Sequence, residues 1–111
     1  MNAMKIKSRF KEDTLIIEIY GAISGAQAIS LDKDVIAIME QSKPKRMIVD
    51  YRDVEFIDST GIGAMITLRQ YSLKNKILFA TVHVNEKIRN TLSIANLEIF
   101  FNVKDESENL I

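Results

Sequence analysis

The stretch Val54-Glu55-Phe56-Ile57-Asp58-Ser59-Thr60-Gly61-Ile62-Gly63 decides how the rest of the chain is read. An apolar run, Met47-Ile48-Val49, leads into it, and Ala64-Met65-Ile66-Thr67-Leu68-Arg69-Gln70 leads out with a helical pattern. One acid, two hydroxyls and two glycines fall between Asp58 and Gly63. That composition marks a turn from a strand into a helix. Ser59 is the expected helix N-cap, and Asp58 or Thr60 could share the role, because short polar side chains accept from free first-turn amides. Glycine in a helix costs about 1 kcal/mol relative to alanine. A tight turn accounts for one glycine more readily than two. Gly61 and Gly63 together leave the first turn bare, so that a second protein's backbone could approach it.

Downstream, the helix is expected over Thr60 to Leu73, with Ile62, Met65, Ile66 and Leu73 inward and Ala64 and Leu68 on the flank. Asn75 is placed to take the left-handed conformation behind it. Ile77–Val82 reads as a strand. Asn85 reads as the N-cap of a further helix with Ile88, Leu92 and Ala95 buried. Glu98–Val103 reads as a short last strand, and residues 104–111 as the start of a terminal helix with acids at its N-terminal end. Upstream, Arg46–Tyr51 is apolar at its centre, as in a parallel strand buried on both faces. Before it, Ala28, Leu31, Val35 and Ile38 define one helix over Ala26 to Gln41, with Ile29, Ile36 and Met39 widening its buried face. Ser24 and Gln27 have capping-box spacing, and Pro44 ends the helix. Met4–Phe10 alternates, with Lys5, Lys7 and Arg9 outward, and Thr14–Tyr20 is β-branched. The polar turn between them makes an antiparallel hairpin, and Gly21 is expected to stop its second strand.

The order is β-β-α-β-α-β-α-β. It predicts an α/β fold: a mixed sheet of four to five strands, the first antiparallel and the rest parallel, packed with three to four helices. At 111 residues, 1–111 reads as a single domain. The hydrophobic fraction of 47% and charged fraction of 27% are those of a folded domain. Fifteen bases balance fifteen acids, and no basic stripe interrupts that balance, which argues against direct nucleic-acid binding. The absence of cysteine excludes disulfides, thiolate metal sites and cysteine nucleophiles. No apolar run approaches the roughly 20 residues of a membrane helix, and the N-terminus lacks a signal-peptide core. A cytoplasmic protein without membrane insertion is expected.

The focal turn fails the patterns of several chemistries. Gly61-Ile62-Gly63 lacks the lysine of a phosphate-binding loop. The dinucleotide fingerprint is absent. Ser59 has Ile57 where a hydrolase elbow has glycine. His83, the single histidine, could lie near Ser59 at the end of the fourth strand, but the plainer reading is a strand-end histidine. One histidine also seeds a metal site poorly. Asp50, Asp53, Glu55 and Asp58 are four acids at expected strand ends or loops, where acids are common. The residues therefore give no catalytic group, metal or cofactor. Besides capping, the remaining role for Ser59 is to accept a phosphoryl group. A helix N-terminus tolerates that charge, and a partner fitted to the neutral hydroxyl would be repelled.

Ile57-Asp58-Ser59-Thr60-Gly61-Ile62-Gly63 resembles the mark of STAS domains, and specifically of bacterial anti-sigma factor antagonists: an apolar residue, then Asp-Ser-Ser/Thr-Gly-Leu/Ile-Gly. Val49–Phe56 is similar to the strand and loop before that motif, and the order of elements matches throughout. The resemblance implies a switch protein without catalysis of its own. Ser59 would be phosphorylated by a partner that is both anti-sigma factor and serine protein kinase. The unphosphorylated form would bind that partner and free the sigma factor for transcription. Phosphorylation would release it, and a PP2C-type phosphatase would reset it. Asp58, Ser59, Thr60, Gly61, Ile62, Gly63 and Ser24 would form the partner-binding surface, with Asp58 contacting or orienting the kinase. Gly21-Ala22-Ile23-Ser24 stands where many members have Gly-Glu-Leu/Ile-Asp, so the loop beside the site lacks both acids. The alternative is a STAS adaptor or ligand-binding subunit of a larger assembly, such as a lipid-transport system, without a phospho-switch.

Overall fold

The computed structural model describes residues 3–105. The element order is β1 (Lys5–Lys11), β2 (Thr14–Ile23), α1 (Gly25–Ile29), α2 (Leu31–Ser42), β3 (Arg46–Ile57), α3 (Ser59–Lys74), β4 (Leu78–Val82) and α4 (Glu86–Ile94). The four strands form one sheet in the order β1-β2-β3-β4. β1 is antiparallel to β2, and β2, β3 and β4 are parallel. This is the expected mixed α/β sheet.

The hairpin turns on two residues, Glu12 and Asp13, both at positive φ (52° and 66°). That backbone matches the right-handed twist of paired strands. The Asp13 carbonyl then accepts from the amides of Lys45 and Arg46, at 2.9 and 3.1 Å. The turn is thereby tied to the start of β3.

One face of the sheet carries Leu15, Ile17 and Ile19 from β2, Met47, Val49 and Tyr51 from β3, and Phe79 from β4, all buried. Strand residues two apart share a face, and the register aligns Leu15 with Met47 and Met47 with Phe79. Both α1 and α2 pack on α3. Leu31, Val35 and Met39 of α2, Met65 and Leu68 of α3, and Ile88 and Leu92 of α4 complete the same core. On β1, Lys5, Lys7 and Arg9 stand exposed at an edge, where charge discourages further strand pairing.

Several sequence expectations change. The helix over Ala26 to Gln41 is two helices, broken at Ser30. The break turns Ile29 outward, to 70% exposure, while Ala28 and Leu31 remain fully buried. Gly21 does not stop β2. It takes φ 89° and sits at a shift of register, and the strand continues to Ile23. β3 also runs on, to Ile57, because Val54, Phe56 and Ile57 keep pairing with Gly21, Ala22 and Ile23. Asp53 and Glu55 therefore lie within a strand rather than in a loop. The buried face of α3 is Gly61, Ala64, Met65, Leu68 and Ser72. Leu73 is 53% exposed, so the true stripe is rotated from the expected one. Lys76, not Asn75, takes the left-handed position (φ 57°). Ala95 lies outside the buried stripe of α4.

Glu98–Val103 is not a strand. It is a series of turns with one bridge, Thr81 to Val103. The buried Thr81 holds it: its hydroxyl donates to the Phe101 carbonyl at 2.8 Å and its amide to that of Asn102 at 3.1 Å. Asn102 adopts φ 50°, which ends ladder geometry there. The helix expected over residues 104–111 falls mostly outside the described residues.

Candidate functional site

β3 delivers Ile57 into the core, and α3 begins two residues later. Asp58 is the N-cap, with extended backbone (φ −105°, ψ −175°). Its Oδ1 accepts from the Gly61 amide at 2.9 Å, and its Oδ2 accepts from the Gly25 amide at 3.0 Å. One carboxylate thus caps α3 and fastens the start of α1 beside it. A further backbone bond, from the Asp58 amide to the Ile23 carbonyl at 3.3 Å, closes the same junction. These amides, Gly61 first and Gly25 second, hold the Asp58 carboxyl below its ordinary value against the small opposing effect of burial.

A carboxyl with a depressed folded pKa stabilises the fold above its unfolded value and loses that contribution as pH falls through the folded value. Stability is therefore expected to fall as the solution is acidified below about pH 4, the unfolded aspartate value. Asp58→Asn should flatten that acid limb. An amide can accept from only one of the two N–H groups and turns its own donors toward the other. Urea titrations of both proteins between about pH 3 and 6 check this, and parallel limbs would exclude the role.

The site thus differs from the sequence expectation in who caps the helix. Asp58 does so, and Ser59 is the first helical residue, exposed, with its hydroxyl free of any hydrogen bond among the described residues. Thr60 is exposed as well. Both oxygens of Asp58 are engaged by backbone amides, so its carboxylate fixes the turn. Ser24 flanks the site as the N-cap residue of α1 but makes no side-chain cap bond. Gln27 does not complete a capping box, because its side-chain oxygen accepts from the Met4 amide instead.

The two glycines separate. A Cβ on Gly61 would stand 2.0 Å from the Ile23 carbonyl oxygen and 2.9 Å from side-chain carbons of Ile23 and Ile57. Glycine there is required by the fold. A Cβ on Gly63 would meet nothing within 4 Å. Gly63 is exposed and Ile62 half-buried. Gly25 matters for a third reason, its left-handed φ of 59°.

His83 belongs to another cluster. Its Nδ1 lies 3.0 Å from Asp50 Oδ1, and its Nε2 lies 3.1 Å from Arg52 Nη2. Among the described residues no three His, Cys, Asp or Glu side chains converge as a metal site would require. No helix among them is long and apolar enough to cross a membrane. Local sequence carries no signal for the Arg52–His83–Asp50 cluster, because it joins the middle of β3 to the residue after β4, 33 positions away from Asp50.

A mixed α/β sheet whose central strand β3 leads into an aspartate-capped helix with an exposed serine at its start defines the fold and its focal turn. The STAS domain pattern matches residues 5–110, and the chain belongs to the STAS domain family. A STAS-domain containing protein of Pseudomonas aeruginosa is 27% identical over 60 residues, 54% of this chain and 59% of that protein. The chain therefore spans about three-fifths of the curated relative it matches. Among solved structures, a putative anti-sigma factor antagonist from Thermotoga maritima superposes with TM-score 0.83 at 22% identity, covering 92% of this chain and 87% of that one. The phosphorylated form of the Bacillus cell fate determinant SpoIIAA gives 0.69 at 13% identity, over 94% and 93%. A sulfate transporter family protein from Wolinella succinogenes gives 0.68 at 23%, over 84% and 77%. Likeness at these identities establishes the shared fold.

Proposed function

We propose that this protein is an anti-sigma factor antagonist that acts in the cytoplasm as a phosphorylatable binding partner and not as an enzyme. It binds an anti-sigma factor that is also a serine protein kinase, through Ser24, Asp58, Ser59, Thr60, Gly61, Ile62 and Gly63. Phosphorylation of Ser59 releases it, and a PP2C-type phosphatase restores binding.

The observation that carries this reading is the free, exposed Ser59 hydroxyl at the first position of α3, released from capping by Asp58. A kinase needs such a hydroxyl accessible and uncommitted. The first-turn amides of α3 and its dipole favour the added negative charge there. The putative antagonist from Thermotoga and the phosphorylated SpoIIAA share the fold, which supports the reading.

Incubation with ATP and a candidate serine kinase, followed by intact-mass measurement, tests it. One phosphoryl group is expected on wild type and on Thr60→Ala, and none on Ser59→Ala. The transporter-family likeness supports a second reading, a constitutive STAS adaptor. Binding of the partner with no phosphoryl transfer would favour that reading.

A further inference from the structure

A cavity lies away from Ser59, at the carboxyl end of β4 and beside the middle of β3. It has a volume of about 520 Å³ and is lined by Arg52, His83, Val84, Asn85, Arg89, Lys104 and Asp105. Crevices at the carboxyl ends of parallel strands are where α/β sheets take ligands. Among the described lining residues Arg52, Arg89 and Lys104 are basic besides His83, and Asp105 is the one acid.

The cluster inside is polarised. Asp50 can only accept, so the 3.0 Å contact places the ring proton on Nδ1 of His83. Arg52 Nη2 lies 3.1 Å from Nε2 and 3.4 Å from Nδ1, so it stands against the ring between the two nitrogens and not in line with the Nε2 lone pair. Asp50 Oδ1 also accepts from the Arg52 amide at 2.9 Å, which holds this part of β3 and the ring together. His83 itself sits at φ 58°, a conformation enriched for histidine over most side chains but uncommon, and it turns the ring back over β3. The consequence concerns Arg52. Its guanidinium has no carboxylate within 4.0 Å among the described residues and touches only the His83 ring. A guanidinium ordinarily meets carboxylate or phosphate with paired donors. Arg89 differs, since Glu98 and Asp105 each bind it at 3.1 Å.

We propose that this cavity binds a small phosphomonoester. Arg52 donates to its non-bridging oxygens. Nε2 of His83 accepts from a protonated phosphate oxygen. The first turn of α4, at Glu86 and Lys87, lends its dipole. Asn85 is already committed, accepting from Ile88 at 2.8 Å and donating to Val54 at 3.3 Å, so it shapes the wall. The phosphate must stand clear of Asp50 behind the ring, Asp105 at the rim and Glu86 on α4. That restricts it to the Arg52 side. Among the described lining residues no aromatic ring accompanies His83, so the organic part is one that needs no stacking, such as a sugar. This site is independent of the Ser59 reading.

The test is a ¹⁵N–¹H NMR titration of the full chain with inorganic phosphate, glucose 6-phosphate and malonate. Chloride holds ionic strength constant, so that general screening cancels. Saturable shifts are expected at the amides of His83, Val84 and Asn85 with both phosphates. Binding by Arg52→Gln should be about tenfold weaker or worse, as expected for losing a charge-assisted hydrogen bond. Lys33→Gln, which removes an exposed charge from α2, should bind as wild type does, and so should Ser59→Ala. Equal weakening by Arg52→Gln and Lys33→Gln would reduce the effect to surface charge and overturn the site. Malonate binding as tightly as phosphate would overturn the assignment of the ligand class. Unchanged NMR dispersion in Arg52→Gln establishes that the variant is folded.

Discussion

Gly61→Ala is expected to destabilise the protein by about 3 kcal/mol or more, a large effect for one methyl group. The added carbon would stand 2.0 Å from a backbone oxygen, that of Ile23, and not from the tip of a flexible side chain. Relief requires α3 to move away from the end of β2. That movement would stretch the Asp58–Ile23 backbone bond and the Asp58–Gly25 bond together. For a domain of this size, about 3 kcal/mol corresponds to a fall in melting temperature of about 10–20 °C. Gly63→Ala is the internal control. It has room, and it removes a helix-interior glycine, so stability should rise by about 0.5–1 kcal/mol. If a partner's backbone packs on Gly63, the same substitution weakens the complex while strengthening the fold. Thermal melts and a binding assay on both variants check the pair. Equal melting temperatures for Gly61→Ala and wild type would refute the close packing at Ile23.

The second large effect is on binding. Phosphorylation of Ser59 adds about −1.5 to −2 charges one residue from Asp58, whose carboxyl is held ionised by two amides. A partner surface shaped for a hydroxyl then meets that charge without compensating donors. The complex should weaken by about 3–4 kcal/mol, several-hundred-fold in Kd. Ser59→Asp carries a single charge and should lose less, about tenfold or more. Ser59→Ala should stay within about threefold of wild type, because the hydroxyl forms no hydrogen bond among the described residues. Calorimetric titration of the kinase partner with the four forms measures this. Identical affinities would sink the switch and leave the adaptor reading.

The glycine result shows where sequence reading stops. Asp58-Ser59-Thr60-Gly61-Ile62-Gly63 announced a strand-to-helix turn correctly, because short polar residues and glycines at the end of an apolar run have few other uses. It did not say which residue caps. Asp58 and Ser59 are both good caps locally. The tie is broken by Gly25, 33 residues away, whose amide needs the second carboxylate oxygen. The two glycines likewise looked equivalent. Only the arrival of β2 against α3 makes one indispensable and leaves the other open.

The same division runs through the fold. The hairpin, the order of elements, the parallel character of β3 and β4, and the Asn85 cap were legible, because each follows from alternation, period or a cap within a few residues. The lengths of β2 and β3 were not. Gly21 is a stop signal locally, and it becomes a bulge only because β3 offers continued pairing on the far side. Glu98–Val103 is apolar enough for a strand, yet the buried Thr81 takes its carbonyls in turns. By itself the sequence determined the STAS fold and the presence of a polar, glycine-bearing turn at its centre. The tertiary structure decided the roles within that turn: Asp58 binds, Gly61 packs, and Ser59 is left free. The reason is that capping and close packing are settled by which backbone groups arrive from distant strands, and those contacts have no signature in the local sequence.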